Sequence, residues 1–421
     1  ELKFLEPAKE IEIFGTYEVI IVGGGPAGVA AAIASGRLGK KTLLVERFGF
    51  LGGTATAALM NNINGFRNQV EPDNTQTVKG IAEEIIRKLN EINGLGKSPY
   101  DQKEYDIREE LSYSYCIDPE KFKFIILDMV VEANVEILFH TYFCDSILES
   151  NTIKGIIVEN KSGRLAILGD IIIDASGDGD VAARSGIPFW EAKMDDKKLV
   201  DGLMYKIANA NDPDLHGCTY EDAIVVWGPG LVWGENNVSK ISEAEINTRL
   251  EVFNHFTHLL KKHQKLRASK AYVSETPVML GIRQTRFIEG EYKITAEDAI
   301  SGRRFNDVIA ISSCPIIQYY GYRRFLEHEG YDIPYRCLVP RKIENLLVAG
   351  RCISSEQQPY ESHRAIAPIM AIGEAAGTAA ALSIEHDCIP RNLDVNKLQM
   401  QLIKQGAELR MKNNACESYK H

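Results

Sequence analysis

The sequence lacks long apolar runs, clusters of basic residues and closely paired cysteines. No stretch supplies the roughly 20 consecutive apolar residues of a membrane-spanning helix, so we expect no membrane span. The formal net charge is -10, and phosphate binding depends on clustered Lys and Arg, which argues against a nucleic-acid partner. The 8 cysteines never form a C-x-x-C pair, so neither a metal site nor a redox-active dithiol is indicated. The first residues have no basic region followed by an apolar core, so we expect a cytoplasmic protein.

What the sequence does contain, at its beginning, is the strand-helix alternation of an α/β protein. Residues 17–23 (YEVIIVG) predict a strand that is buried on both faces. The Ala-rich residues 26–38 predict a buried helix, and residues 41–46 (KTLLVE) predict a second strand, which completes a βαβ unit. Further along, the patterns predict helices at 79–89 and 119–133, a meander of short strands at 135–143, 147–149, 153–159 and 165–168, and a buried strand at 171–175.

A glycine-rich motif, GGGPAG at 23–28, lies between the first strand and the first helix. Gly23 permits a tight turn, Gly25 lets the backbone approach a pyrophosphate, and Gly28 lets the helix and strand pack closely. Glu46 closes the second strand 21 residues beyond Gly25, where its carboxylate can accept hydrogen bonds from ribose hydroxyls. The combination predicts a dinucleotide site. The alternative is a glycine-rich turn of an ordinary α/β protein with a surface Glu.

The next segment, RFGFLGGTAT at 47–56, favours FAD over NAD. A wide tricyclic ring needs backbone lying close beside it, and Gly52 and Gly53 allow this. From here the chain resembles the FAD-dependent oxidoreductases of the glutathione-reductase-like (two-dinucleotide-binding-type) flavoprotein superfamily. The resemblance covers nearly the whole chain and rests on five blocks: VIIVGGGPAGVAAA, LGGTAT, IIDASGDGDVAARSG, GIRQTRFIEGEY, and IPYRCLVPRKIENLLVAGRCISS with RAIAPIMAIGEAAGTAAA.

The resemblance implies which residues hold FAD, from the pyrophosphate to the flavin ring. The pyrophosphate would contact Gly23, Gly25, Pro26, Ala27 and Gly28. The adenosine end would contact Glu46, Arg47, Phe143, Ala175, Ser176 and Gly177. The ring and the ribityl chain would contact Gly52, Gly53, Thr54, Thr56, Gly350 and Arg351.

A helix predicted to begin near Pro368 is expected to face the flavin. Its first free N–H groups, those of Ile369, Met370 and Ala371, would point at the N1–C2=O edge of the ring. Negative charge collects at that edge on reduction, and the positive end of a helix dipole stabilises it. Two glycines further along, Gly373 and Gly377, are interpreted as allowing close helix packing.

The periodicity becomes irregular between residues 187 and 332, where a helix is predicted at 242–262 and a strand at 223–227. It is regular again in a strand at 345–350 and an Ala-rich helix at 365–384. The fold class that follows is α/β, a Rossmann-like FAD-binding domain with an inserted α+β substrate or cap domain. The predicted divisions are 1–186 and 333–391 for the FAD-binding domain, 187–332 for the insertion, and 392–421 for a C-terminal surface helix.

Residues that flank the flavin blocks are the candidates for catalysis. His363 is the acid-base candidate because imidazole titrates near neutrality, although a hydrogen bond within its own loop would explain it equally well. By the resemblance, Arg364 is a family feature, whereas 361–363 reflect this protein's own substrate. Arg283 and Arg286 lie three residues apart and could offer a fork of donors to a carboxylate; a surface ion pair is the alternative.

Three histidines on the helix at 242–262 and just after it, His255, His258 and His263, are interpreted as solvent-facing. The segment GPGLVWG at 228–234 is interpreted as a turn between strands and not as a second nucleotide motif.

The expected activity is that of an FAD-dependent oxidoreductase of the dehydrogenase or oxidase type. Hydride would pass between a C–H bond of a small polar organic substrate and flavin N5. Oxygen, a quinone or a protein carrier would exchange electrons with the flavin, and the chain could also form a homo-oligomer. The alternatives are an NAD(P)H-using flavin monooxygenase or hydroxylase and a non-catalytic flavin-binding protein.

Overall fold

The computed structural model describes residues 4–72, 74–100, 105–191, 201–210, 212–229, 236–317 and 323–411. The helices within these ranges are α1 (Pro26–Arg37), α2 (Ile81–Glu91), α3 (Pro119–Glu132), α4 (Asp180–Arg184), α5 (Val238–Lys262), α6 (Gln264–Ala268), α7 (Ala296–Ser301), α8 (Gln357–His363), α9 (Ile366–Glu385) and α10 (Val395–Lys404).

The first ten strands are β1 (Glu12–Val22), β2 (Thr42–Val45), β3 (Asn62–Asn64), β4 (Leu95–Gly96), β5 (Ser114–Ile117), β6 (Glu136–Leu138), β7 (Tyr142–Glu149), β8 (Thr152–Asn160), β9 (Gly163–Asp174) and β10 (Phe189–Glu191). They are followed by β11 (Met204–Ala208), β12 (Cys218–Tyr220), β13 (Ala223–Trp227), β14 (Tyr272–Glu275), β15 (Arg286–Ile288), β16 (Val308–Ser312), β17 (Ile316–Ile317), β18 (Arg323–Arg324), β19 (Tyr331–Pro334) and β20 (Leu346–Val348).

A seven-stranded sheet forms the centre of the molecule, as the apolar runs at both ends of the chain predict. Its order is β6-β2-β1-β9-β8-β7, and β20 pairs with the end of β9. Strands β6, β2, β1, β9 and β20 are parallel to one another, and β8 is antiparallel to both of its neighbours, β7 and β9. The fold class is therefore α/β with a Rossmann-like sheet, and the predicted meander is part of the same sheet.

The long strand β9 corrects the prediction of two separate strands at 165–168 and 171–175. β9 runs without a break through Gly169, because this glycine leaves room for its neighbours. A Cβ at Gly169 would lie 2.6 Å from the Ile20 side chain on β1. One strand therefore belongs to both the meander and the parallel sheet.

The helices α1 and α9 pack closely against each other, and two glycines of α9 make this possible. A Cβ at Gly373 would lie 2.1 Å from the Ala27 carbonyl oxygen, and one at Gly377 would lie 2.2 Å from that of Ala31. The packing interpretation of these glycines is confirmed. By length and composition α9 is apolar enough to cross a membrane, but 89% of its most apolar window is buried inside the protein. The core accounts for its apolar character.

Residues 203–280 form an apolar core of their own around the antiparallel sheet β12-β13-β11-β14 and the long helix α5. This core is shorter than the predicted insertion of 187–332, because Ile288, Val308 and Tyr331 pack into the main core. The chain passes into and out of this part at Gly202 and Gly281. The amide of each donates to the carbonyl oxygen of the other, at 3.4 and 3.0 Å.

A disulfide between Cys116 on β5 and Cys218 on β12 joins this part to the main body. The sequence did not indicate the pair, because 102 residues separate its two members.

Candidate functional site

The carboxyl ends of four parallel strands meet at one edge of the central sheet, and the predicted cofactor residues follow them directly. Gly23 follows β1, Glu46 follows β2, Ala175 follows β9, and Gly350 comes shortly after β20. In open α/β sheets, ligands bind at this edge, where the direction of the connections changes. The sheet topology therefore brings four sequence-distant segments to one place.

The glycines of the first loop differ in what a side chain would meet. Gly23 has φ +105°, and its Cβ would lie 2.5 Å from the Ala175 carbonyl oxygen. A Cβ at Gly28 would lie 1.8 Å from the Gly23 carbonyl oxygen. At Gly25, by contrast, the nearest atom is the Gly53 Cα at 3.9 Å. The protein's own packing requires glycine at positions 23 and 28, whereas Gly25 faces a space that is open to a ligand.

That space is a cavity of about 180 Å³, which we call the glycine-loop cavity. Glu46 lies in its wall and is 6% exposed. Its carboxylate accepts hydrogen bonds from the amides of Gly24 at 2.7 Å and Phe48 at 2.9 Å. Burial raises the pKa of Glu46 above its usual value, although both amides oppose the shift. The carboxylate is thus held in place at the end of β2, where a ribose is expected.

Most of the predicted cofactor residues line the glycine-loop cavity. These are Gly23, Gly25, Pro26, Ala27, Glu46, Arg47, Gly53, Thr54, Phe143, Ala175, Ser176, Gly177, Gly350, Arg351 and Ile369. Their contacts with FAD stay a prediction, but the structure brings them together as the resemblance implied.

Five predicted cofactor residues lie outside the lining of this cavity: Gly28, Gly52, Thr56, Met370 and Ala371. Gly28 is buried against the first loop, and Met370 belongs to the main core, against which Ala371 also packs. Gly52 has φ +109°, and the Thr56 hydroxyl donates to the Leu51 carbonyl oxygen at 2.9 Å. These five residues are neighbours of the cavity lining and do not line the cavity themselves.

The helix α9 agrees with the prediction of a helix at 365–384, but its amides do not fit the expected start near Pro368. The helix begins at Ile366, and the Ile369 amide already donates to the Ala365 carbonyl oxygen at 3.1 Å. The expectation of free amides at Ile369, Met370 and Ala371 was therefore wrong by about one turn. Helical geometry leaves the amides of Ile366 and Ala367 as the ones without an intrahelical acceptor.

A second cavity of about 1000 Å³, the large cavity, adjoins the first. Four residues line both cavities: Pro26, Thr54, Arg351 and Ile369. Its walls come from the main body, at Met60 and Asn62, and from the 203–280 part, at Trp227 and His255. The two cavities therefore form a connected site that extends from the end of β2 to the face of α5.

Arg351 stands where the two cavities meet. Its Nε donates to the Gly177 carbonyl oxygen at 2.7 Å, and its guanidinium forms an ion pair with Asp178. Asp178 also accepts a hydrogen bond from the Thr285 hydroxyl at 2.7 Å. Burial alone would raise the pKa of Asp178, but the Arg351 charge and the Thr285 bond hold it below its usual value. Both members of the pair are therefore charged.

A buried carboxyl group, that of Glu361 on α8, lies in the wall of the large cavity and is 4% exposed. It accepts a hydrogen bond from the Gln357 amide at 3.0 Å, and Gln357 is in turn bonded to Gln284. Burial raises the pKa of Glu361 to about 7. This group can therefore both accept and release a proton near neutral pH.

His363 takes no part in the lining of either cavity, which corrects its assignment as the acid-base residue. The side chain is fully buried, and its Nε2 lies 3.0 Å from the Ser355 hydroxyl. Burial lowers the pKa of His363 to about 3, so the ring is neutral. The alternative, a histidine that hydrogen-bonds within its own surroundings, describes it better.

The predicted fork of Arg283 and Arg286 does not form. Arg283 and Arg364, both predicted to lie at the site, line the large cavity. Arg286 lies on β15 and forms an ion pair with Asp180 at 2.8 Å, outside the lining of both cavities. No helix connects the two residues: 282–285 are irregular and Arg286 begins β15, so side chains three residues apart do not project together as they would on a helix.

Two of the three histidines interpreted as solvent-facing instead line the large cavity and have hydrogen-bond partners. His255 Nδ1 lies 2.8 Å from the Tyr205 hydroxyl, and His263 Nδ1 lies 3.1 Å from the Asp212 carboxylate. Both line the large cavity, whereas His258 is exposed as expected. The helix predicted at 242–262 is present within α5, but its inner face was assigned to solvent.

Sequence reasoning missed several residues of the large cavity: Tyr100, His216, Trp227 and Arg323. None of them lies within a recognisable motif, and only the tertiary fold brings them together. The segment at 228–234, interpreted as a turn, lies mostly outside the described residues.

A model of the FAD dependent oxidoreductase family matches residues 18–225 and 203–402. The chain belongs to this family. FAD is its cofactor, and the protein is an FAD-dependent oxidoreductase. The open space at Gly25, the held carboxylate of Glu46 and the connected cavities fit an extended dinucleotide.

Two curated relatives match this chain over short segments. A dihydrolipoyl dehydrogenase of Trypanosoma brucei brucei is 57% identical over 42 residues, which are 10% of this chain and 9% of that protein. The mitochondrial dihydrolipoyl dehydrogenase of Schizosaccharomyces pombe is 46% identical over 55 residues, 11% of each chain. The chain thus matches about a tenth of the length of these relatives.

Among solved structures, a geranylgeranyl bacteriochlorophyll reductase-like protein from Thermoplasma acidophilum is 14% identical, with a TM-score of 0.49 over 95% of this chain and 85% of that chain. L-proline dehydrogenase from P. horikoshii is 15% identical, with a TM-score of 0.42 over 95% of this chain and 100% of that chain.

Proposed function

We propose that the protein is an enzyme of the dehydrogenase or oxidase type. Its substrate would be a small organic molecule in the large cavity, and FAD, when bound, would supply a hydride acceptor and donor at N5 for a C–H bond of that molecule. The observation that carries this proposal is the position of a buried carboxyl. Glu361 lies in a cavity that shares four residues with the glycine-loop cavity. A proton-exchanging group therefore adjoins the cofactor site.

Glu361 would take up the proton that substrate oxidation releases. When an alcohol or amine carbon loses hydride, its O–H or N–H group must lose a proton. A carboxylate with a pKa of about 7 accepts this proton at neutral pH and returns it in the reverse direction. The hydrogen bond from Gln357 fixes one carboxyl oxygen, so the group is held in a defined orientation.

The finer family assignment is part of the same proposal. The short matches to dihydrolipoyl dehydrogenases support membership of the glutathione-reductase-like flavoprotein superfamily. Oxygen, a quinone or a protein carrier would act as the electron acceptor. In the described part of the chain there is a single Rossmann-like sheet, which favours these acceptors over a stably bound nicotinamide nucleotide.

The test is an anaerobic titration of the FAD-loaded protein with small metabolites while the flavin absorbance is followed. We expect at least one metabolite class to bleach the flavin, and oxygen or a quinone to restore it. Rapid bleaching by NADPH, with no bleaching by metabolites, would instead identify a monooxygenase or hydroxylase. If neither metabolites nor NADPH reduce the flavin, the protein is a non-catalytic flavin-binding protein.

A further inference from the structure

Three arginines from separate segments of the chain meet in the large cavity, and we call them the arginine cluster. Arg283 lies between β14 and β15, Arg323 begins β18, and Arg364 directly follows α8. Among the described residues, the lining also contains Lys262 and Arg351, the latter paired with Asp178, and two carboxyls, those of Asp214 and Glu361. This basic lining stands in a chain with a formal net charge of -10. Such a local excess concentrates anions at the site.

Within the described residues, the arginine cluster is held under electrostatic strain and has one buried donor without an acceptor. Burial, together with the positive charge of Arg364, lowers the pKa of Arg283 to about 10. Asp201 opposes this shift, and its carboxylate also accepts the Arg283 backbone amide at 2.5 Å. The Nε of Arg364 is buried and makes no hydrogen bond within the described part of the chain. Buried donors without an acceptor are unfavourable, so a bound anion would stabilise this arrangement.

An aromatic surface, the aromatic wall, lies beside the arginine cluster and consists of Tyr100, His216 and Trp227. Their ring centroids are 5.4 to 5.8 Å apart, and the rings of His216 and Trp227 are stacked. The Arg323 guanidinium carbon lies 3.8 Å from the centroid of the Tyr100 ring, which places a charge against the wall. The lining continues with Leu215, Val226 and Leu259.

The size of the cavity agrees with more than a small ion. Ligand pockets have volumes of about 300–1,000 Å³, and the large cavity, at about 1000 Å³, has to hold a substrate together with the flavin ring, whose predicted contacts Thr54, Arg351 and Ile369 line it. A two- or three-carbon acid would leave the aromatic wall uncovered. A molecule with an apolar body would contact both surfaces at once.

We propose that the substrate is an oxoanion, a carboxylate or a phosphate ester, whose head is bound by the arginine cluster and whose apolar or aromatic body lies against the aromatic wall. Arginine donors suit both kinds of head group because the guanidinium fork matches their oxygens. That this anion is the substrate rests on the function proposed above. That the cavity binds it does not.

The test uses unreactive probes and the FAD-loaded protein, with binding followed by perturbation of the flavin absorbance. The probes are phenylacetate, its neutral amide phenylacetamide, acetate, phenyl phosphate and inorganic phosphate. We expect phenylacetate or phenyl phosphate to bind at least about tenfold more tightly than phenylacetamide, as charged hydrogen bonds require. The comparison of the two aromatic anions shows which head group the cluster prefers.

Variants separate the two surfaces. Arg364→Gln and Arg323→Gln should each weaken binding of the aromatic anions by about 10- to 100-fold, because each removes charged hydrogen bonds. Trp227→Leu should weaken phenylacetate more than acetate. Arg108→Gln is the matched control, since this arginine is 84% exposed and lies outside both cavities. The flavin-to-protein absorbance ratio shows that each variant keeps its cofactor.

Equal binding of phenylacetate and phenylacetamide, or full binding by both arginine variants, would overturn the proposal. Its failure differs from that of the proposed function. If metabolites bleach the flavin but no oxoanion probe binds, the enzyme is a dehydrogenase or oxidase for neutral or cationic substrates. If the probes bind with the expected dependence but no metabolite bleaches the flavin, the anion site stands and the hydride-transfer proposal does not.

Discussion

Arg351 donates a hydrogen bond from its guanidinium to the carbonyl oxygen of Ile282, the residue before Arg283. The same guanidinium forms the ion pair with Asp178 and bonds to Gly177, both of which line the glycine-loop cavity. One side chain therefore connects the cofactor side of the site to the segment that carries a member of the arginine cluster.

Replacement of this arginine should destabilise the protein strongly. In Arg351→Met, Asp178 keeps its charge but loses its cation, and breaking one side of such a pair costs about 3 kcal/mol or more. The side chains of the pair are 15% and 21% exposed, so solvent compensates little. Urea unfolding measures the loss.

The double variant Arg351→Met with Asp178→Asn should recover part of this loss, because the uncompensated charge is gone. Arg108→Met, in an exposed ion pair, should unfold at the urea concentration of the unsubstituted protein. A single variant as stable as the parent would contradict the role assigned to the pair.

Two glycines of the first loop should respond differently to the same added methyl group. Gly25→Ala should fold, since its Cβ meets only the Gly53 Cα at 3.9 Å, but it should bind FAD at least about tenfold more weakly because the methyl group enters the cavity. Gly28→Ala should fold poorly, because its Cβ would lie 1.8 Å from the Gly23 carbonyl oxygen. Circular dichroism and flavin titration distinguish the two results. Full FAD affinity in Gly25→Ala would show that the pyrophosphate lies elsewhere.

The pH dependence of flavin reduction should depend on Glu361. Its pKa is raised to about 7, so the carboxyl is protonated below that pH and cannot accept a proton. The rate of substrate oxidation should therefore rise through about pH 7 and level off above it. Glu361→Gln should lose this rise and be about 100-fold slower, as is common when a general base is removed. Anaerobic stopped-flow absorbance gives both rates.

Glu385→Gln is the control for that experiment, because Glu385 is exposed at the end of α9. His363→Gln should keep the pH-dependent rise, since His363 lies outside both cavities. A pH profile that is unchanged in Glu361→Gln would assign proton transfer to another group.

Glu374 on α9 should make the protein less stable as the pH rises. Burial raises its pKa to about 7, although its carboxylate accepts the Ile81 amide at 3.0 Å. The folded pKa lies above the unfolded one. The stability of the protein with a protonated Glu374 is therefore fully present below about pH 4.5 and is lost as the pH rises through 7. Glu374→Gln keeps an acceptor for the amide and should raise the free energy of unfolding by about 3 kcal/mol at pH 8. At pH 4 the difference should vanish; thermal melts at both pH values test it.

The local parts of the fold were predictable because their signals lie within a few residues. The apolar run at 17–23 ends at Gly23. An apolar strand followed by a glycine turn and an Ala-rich helix has few alternative folds. Strand ends at one sheet edge then bring Glu46, Ala175 and Gly350 to the same cavity. The start of α9 was misjudged because proline is common at the first helical position, whereas Pro368 is the third residue of the helix.

The substrate side was less predictable, because its residues come from segments that no sequence pattern connects. Arg283 and Arg364 meet Arg323 only after the part at 203–280 packs onto the main body. Spacing favoured Arg286 as the partner of Arg283, yet a strand directs it to Asp180. The protonation of Glu361 and His363 depends on burial, which the composition of their surrounding residues does not reveal.

The mutual hydrogen bonds of Gly202 and Gly281 have a consequence for how such proteins diversify. Because the chain departs and returns at neighbouring points, the intervening stretch is a cassette. A replacement with similarly close ends would keep the backbone pairing of this seam but would lose the Cys116–Cys218 disulfide to the main body. Grafting at this seam is therefore a design in which that one crosslink has to be rebuilt or removed.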